Sequence, residues 1–224
     1  MHLLSVNVGR AGTADIPGVP GFEAGLATAI DKRPVDGPVA VAAPGPRGTG
    51  GSGLAGDAIV SLRHHGGDDQ AVYAFAREDL DRWQQELGRP LPNGSFGENL
   101  TTSGVDVNGA RIGERWRVGP DLVLEVSAPR IPCRTFADWL GEAGWIKRFT
   151  QEAAPGAYLR VIEPGEIRAG DAVTVVHRPD HEVTVSFLFR ARTVDRSLLP
   201  GVLAAGDALP AAVREKALAY QASL

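Results

Sequence analysis

A chain of 224 residues with 43% hydrophobic and 22% charged residues has an ordinary globular composition, and its length suits one large domain or one domain with an appendage. The net charge of −4 gives no electrostatic reason to expect nucleic acid or an anionic membrane as partner. A single cysteine excludes an intrachain disulfide, a cysteine-rich zinc site and an iron–sulfur cluster held by the chain's own thiolates, and it fits a reducing cytoplasm.

In chain order, Leu3–Val8 reads as a strand. It is broken too soon by Gly9 and Arg10 to be a signal peptide. Val39–Ala43 reads as a second strand, followed by a glycine-rich loop from Pro44 to Gly53 that is expected to be flexible and to close over a site. Ala58–Leu62 is a third strand candidate. From Gln70 to Leu87 the apolar residues Ala71, Val72, Phe75, Leu80, Trp83 and Leu87 fall at helical spacing, with Asp68 or Asp69 as cap and Gly88 and Pro90 as stop. Leu122–Ser127, Tyr158–Ile162 and Ala172–Val176 complete the strands. A short helix is expected over Phe136–Glu142. Two Gly–acid turns, Gly113-Glu114 and Gly170-Asp171, each precede an apolar stretch, as repeated turns of a β-barrel would. Beyond Pro179 the pattern turns helical over Val183–Arg192, Ser197–Ala205 and Ala211–Ala222. No apolar run approaches the ~20 residues of a membrane helix.

Three segments carry polar side chains at junctions between elements, where sites are usually built. In Arg63-His64-His65-Gly66-Gly67, adjacent histidines point to opposite faces, so at most one serves a site, and the glycines permit close backbone approach. The alternative is a plain turn with two partly buried histidines. In Phe96-Gly97-Glu98-Asn99-Leu100 a carboxylate and an amide could bind a heterocycle, or Asn99 could bond its own turn. In Pro129-Arg130-Ile131-Pro132-Cys133-Arg134 the thiol is bracketed by prolines and arginines. Nearby arginine favours the reactive thiolate, whereas a buried inert thiol is the plainer use of a free cysteine.

These segments, in this order, resemble the MOSC family, the molybdenum cofactor sulfurase C-terminal domain, and within it the stand-alone bacterial YiiM-like branch. The resemblance runs from about Val39 to Val176 and includes Gly56-Asp57, His64 to Gly67, Phe96 to Leu100 and Pro129 to Cys133. It implies a mostly β (α+β) barrel over residues 1–178, with a C-terminal three-helix extension over 179–224. It implies molybdenum cofactor (molybdopterin) as cofactor, with Cys133 as the metal ligand or sulfur carrier. Relatives in this branch reduce N-hydroxylated compounds such as 6-hydroxylaminopurine with electrons from a separate reductase. The chain shows no dinucleotide fingerprint, in keeping with an external electron donor.

On that reading Cys133 and His65 are catalytic, with His65 the proton donor. Arg130 and Arg134 bind the cofactor's phosphate, and Asn99, Glu98, Asp57, Gly66 and Gly67 complete the cofactor-binding set. The chain departs from many relatives at Thr135, where they carry lysine. The alternatives are a carrier that holds a persulfide on Cys133, or an interaction module without chemistry. The helical tail could equally supply a homodimer contact.

Overall fold

The computed structural model describes residues 1–13 and 27–224. β1 (His2–Gly9) opens the chain and is followed by the short pair β2 (Gly12–Thr13) and β3 (Ala27–Thr28), then β4 (Lys32–Pro34) and β5 (Val39–Val41). β6 (Val72–Ala76) runs directly into α1 (Arg77–Leu87). β7 (Leu100–Ser103), β8 (Arg115–Val118) and β9 (Leu122–Pro129) follow. Next come α2 (Arg134–Leu140), α3 (Trp145–Glu152), β10 (Ala157–Glu163), β11 (Gly165–Ile167) and β12 (Val173–His177). The C-terminal segment holds α4 (Val185–Thr193), α5 (Leu199–Val202) and α6 (Ala211–Gln221), with 3-10 turns on either side of α5.

Eight strands form one sheet in the order β12-β8-β9-β10-β6-β7-β1-β4, antiparallel except for the parallel β6–β7 pair. The sheet curls until β1 meets the start of β12. Leu3 N donates to Asp171 O (2.9 Å), Gly170 N to Leu3 O (2.8 Å) and Val173 N to Met1 O (3.0 Å), so the ring of strands closes into a barrel. Closure covers the edge that the start of β12 would otherwise present, while β4 stands at the end of the strand order. The two Gly–acid turns do lead into β8 and β12, and those two strands pair with each other.

The expected helix from Gln70 is a strand for its first half. Within β6, Val72, Ala74 and Ala76 pack into the barrel core, while Tyr73 and Phe75 pack into a second, aromatic core outside it. Both faces are covered, so the run is apolar throughout and its period of two is hidden. The expected strand at Ala58–Leu62 is a loop. Asp57 is pinned inward, and Ala58 makes only one bond to the barrel, to Gly9 O (2.9 Å). The short β4, β7, β8 and β11 and the helix α3 carried too few residues to stand out in the sequence.

The tail packs on the barrel. Val183, Val185, Leu188, Val202 and Val213 belong to the same apolar cluster as the barrel interior. Ile112 N donates to Val183 O and Val185 N to Ala110 O (2.9 Å each), extending the ladder into the tail. Thr184 caps α4 by accepting from Phe187 N (3.0 Å). No helix is long and apolar enough to cross a membrane among the described residues.

Candidate functional site

β9 ends at Pro129 and the chain leaves the sheet through Arg130-Ile131-Pro132-Cys133 before α2 begins. Tyr158 on β10 lies opposite Ala128 on one side and Tyr73 of β6 on the other, so one row across three strands floors the region. The Tyr73 and Tyr158 rings are 5.2 Å apart. Cys133 is half-buried against the aromatic core.

Arg130 is buried. Its guanidinium lies 3.8 Å from the Phe136 ring centroid and 5.2 Å from that of Tyr73, and it donates to Phe96 O. No carboxylate pairs with it among the described residues. A guanidinium carries five donors and stays charged, so Arg130 brings a buried positive charge with N–H groups to spare. Buried charges are normally paired, and one that is not is suited to an incoming anion.

The Phe96 carbonyl is held in place by Glu98. Glu98 is fully buried, and its oxygens accept from Gly94 N (2.5 Å), Phe96 N (2.9 Å) and Thr101 Oγ1 (2.9 Å). Burial raises its pKa, and these donors oppose that rise. Asn99 is equally occupied. Its Oδ1 accepts from Tyr73 N (3.1 Å), and its Nδ2 donates to Asp57 Oδ2 (2.9 Å) and Asn7 O (3.3 Å). Asp57 also accepts from Gly9 N (2.7 Å) and from the ammonium of Lys32. Glu98, Asn99 and Asp57 thus shape the floor through their neighbours, and their polar atoms are already engaged within the protein.

Lys32 escaped the sequence reading. It is 8% exposed, and burial lowers its pKa against the opposing pull of Asp57. Arg130 and Glu98 are close enough for their charges to act on it. Its place next to the loop of Asp57 and Asn99 arises only from the pairing of β4 with β1, which no local pattern encodes.

His65 is half-buried and His64 is exposed, and both lie in a turn rather than on a strand. Burial, then the charges of Arg130 and Arg47, hold the His65 pKa below its ordinary value. Gly66 and Gly67 have φ of 80° and 81°. A Cβ on Gly66 would lie 2.8 Å from Gly50 O, and one on Gly67 would lie 2.6 Å from Arg47 Cα. Both glycines therefore seat the 45–53 loop. That loop is folded and tied down: Gly50 N donates to Pro46 O (2.7 Å), Gly45 N to Asp68 Oδ1 (2.9 Å) and Arg47 Nη2 to His64 O (3.1 Å). The segment expected to be flexible is thus seen in one folded arrangement against Gly66 and Gly67.

Arg134 does not join Arg130. Its side chain is 82% exposed and reaches only Asp138, one helical turn on, at 3.5 Å. Cys133, Arg130, His65 and Tyr158 are thus brought together, while Arg134 turns outward. Among the described residues no three of His, Cys, Asp and Glu gather as a side-chain metal site.

Residues 61–174 match the MOSC domain. The protein YflK of Bacillus subtilis is 30% identical over 200 residues, covering 89% of this chain and 84% of its own length. A protein of Gibberella moniliformis named Reductase is 31% identical over 204 residues; the match covers 88% of this chain but 34% of that protein. The crystal structure of YiiM from Geobacillus stearothermophilus superposes with a TM-score of 0.74 at 26% identity over 97% of both chains.

Proposed function

Because the chain belongs to the MOSC domain family, we propose that it binds molybdenum cofactor through Cys133 and reduces N-hydroxylated compounds with electrons from a separate reductase. The observation that carries this reading is a half-buried thiol close enough to the buried Arg130 guanidinium for their charges to interact, with no carboxylate paired to Arg130 among the described residues. The donor set fits the cofactor. A thiolate is a soft ligand suited to such a metal, and Arg130 suits the cofactor's phosphate. When bound, the cofactor supplies two-electron redox chemistry that the side chains lack.

The chain's own residues do the rest. Cys133 would hold the metal, and Arg130 would hold the anionic group through N–H groups other than the one bonded to Phe96 O. Glu98 fixes the loop that presents Phe96 O to Arg130, and Asn99 and Asp57 fix the strands around it. Cleavage of an N–O bond to amine and water consumes two electrons and two protons, and the half-buried His65, within reach of the Arg130 charge, is the proton donor of this reading. Its depressed pKa makes the protonated imidazole a stronger acid than an ordinary one. The name of the fungal relative supports the oxidoreductase class.

The test is molybdenum content per chain after anaerobic incubation with released cofactor, in the wild type and in Cys133→Ala. Near-stoichiometric metal in the wild type and its loss in the variant is the expected result. Metal absent from the wild type would overturn it. In that case a labile sulfur on Cys133, read by mass spectrometry, would identify a persulfide carrier.

A further inference from the structure

Arg160 lies on β10, two residues beyond Tyr158, and its guanidinium binds three segments that are far apart in the chain. Its Nε donates to Asp69 Oδ1 (2.6 Å), and its Nη1 donates to Glu125 Oε1 (3.0 Å) and to Ala208 O (2.9 Å). Glu125 belongs to β9, beside β10 in the sheet. Ala208 ends the 3-10 turn Leu203–Ala208 of the C-terminal extension. Asp69 sits in the 3-10 turn Asp68–Gln70, which starts directly after Gly67. One side chain therefore ties the extension and the barrel to the turn that follows His65, Gly66 and Gly67.

The arrangement uses what arginine offers. Its planar fork presents several N–H groups at fixed angles and stays charged, so it serves two carboxylates and a carbonyl at once. Glu125 also accepts from Arg115 Nε (2.9 Å), so it keeps a cation without Arg160. Asp69 pairs with no other cation among the described residues. Its main chain is held from the same side, where Ser127 Oγ donates to Asp69 O (2.6 Å). From Asp69 the hold passes back along the turn. Gln70 N donates to Gly67 O (2.9 Å), Gly67 N to Gly51 O (3.2 Å) and Gly45 N to Asp68 Oδ1 (2.9 Å). A strap serving the fold alone needs only Glu125 and Ala208, which join barrel to extension. The third bond goes to a carboxylate that is 47% exposed, where an ion pair adds little stability, and it is directed at the His65 turn.

We infer that Arg160 is a positioning residue, through which the C-terminal extension holds the turn of His65, Gly66 and Gly67 in place. This rests on the reading of His65 as proton donor. The extension is thereby a working part of the site rather than a separate appendage.

The cofactor-free protein is tested by hydrogen exchange and by the imidazole C–H resonances of His65, assigned by their loss in His65→Gln. Two variants cut different arms. Asp69→Ala removes the arm to the turn and leaves Arg160 on Glu125 and Ala208, whereas Arg160→Met removes all three. In both, exchange at residues 61–69 is expected to speed up and the His65 resonances to shift. Exchange at residues 203–208 is expected to speed up in Arg160→Met alone. Asp69→Asn keeps an acceptor for Nε and is expected to recover the wild-type resonances in part. Arg115→Met takes the other cation from Glu125 without touching Asp69, and is expected to leave the His65 resonances where they are. Asp69 is half exposed, so an unchanged melting temperature in Asp69→Ala keeps folding out of the comparison. Protein loaded with molybdenum cofactor is then assayed on 6-hydroxylaminopurine with reduced methyl viologen as donor. In Asp69→Ala kcat is expected to fall about tenfold with KM unchanged, a part of the ~10²–10⁴-fold that a placed proton donor supplies. His65→Gln/Asp69→Ala is expected to lose no more than His65→Gln. Unmoved His65 resonances and unchanged exchange at 61–69 in both variants, or an equal effect of Arg115→Met, would overturn the positioning role. Full kcat in His65→Gln would overturn the proton-donor reading instead, and the exchange and resonance comparison would still decide what Arg160 holds.

Discussion

The ammonium of Lys32 and the carboxylate of Asp57 pair in the interior, joining β4 to the residue just before the segment that sequence patterning reads as a strand. Asp57 also accepts from Gly9 N and Asn99 Nδ2, so one carboxylate locks β1, β4 and the Asn99 loop together. Removing the carboxylate leaves a buried cation without a partner. Asp57→Ala is expected to cost about 3–5 kcal/mol of stability, measured by urea unfolding. The double variant Asp57→Ala/Lys32→Met is expected to be more stable than Asp57→Ala alone. Equal stabilities would mean that the two residues are not coupled.

Arg130 bears on both binding and folding. No carboxylate pairs with its buried charge among the described residues, but Arg130→Met leaves the Phe96 carbonyl without its donor and loses the contact with the Phe136 ring, so a loss of about 1–3 kcal/mol is expected. Retained molybdenum is expected to drop at least tenfold. Arg130→Lys keeps the charge but not the planar fork over Phe136, and is expected to bind in between. A metal content that survives Arg130→Met would remove Arg130 from the binding set.

The pH dependence follows from His65. The folded protein holds its pKa down, mainly through burial, whereas the unfolded chain titrates at the ordinary value. The neutral form is therefore favoured by folding. Its contribution to stability is present above the ordinary histidine pKa and is lost as the pH falls through that value toward the depressed one. His65→Gln removes this slope from a series of melts between about pH 7 and pH 5. In the same window N–O reduction should rise as the donor becomes protonated, and the rise should flatten in His65→Gln.

Gly67→Ala tests the seating of the loop. The position has φ of 81°, and a Cβ would lie 2.6 Å from Arg47 Cα. A strain of about 1–3 kcal/mol is expected, released by lifting the 45–53 loop. Hydrogen exchange at residues 45–53 should speed up, and unchanged exchange would show that the loop is held by other contacts.

What the sequence disclosed depended on how local the signal was. Cys133, Arg130 and His65 stood out because each lies in a short segment of unusual backbone residues, and the fold brings them to one place. Glu98 and Asn99 were legible as polar residues in an apolar frame. Their direction was not, since their partners Gly94, Tyr73 and Asp57 come from other turns and strands. Arg134 was misleading because sequence adjacency to Cys133 says nothing about which way a helix turns its first side chain. β6 was hidden by being covered on both faces. Lys32 was hidden because its importance comes from a long-range pairing rather than from its neighbours.

The closure of the barrel bears on how the chain folds. Leu3 is bonded to Gly170 and Asp171, and Met1 to Val173, so the barrel closes through contacts between strands far apart in the chain. Contacts of such long sequence separation slow folding, to on the order of milliseconds to seconds for domains dominated by them. β7 and β4 can pair with β1 earlier, but the Leu3 side of β1 lacks its closing partner until residues 170–173 are in place. The seam between β1 and the start of β12 is therefore the last part of the barrel that can form.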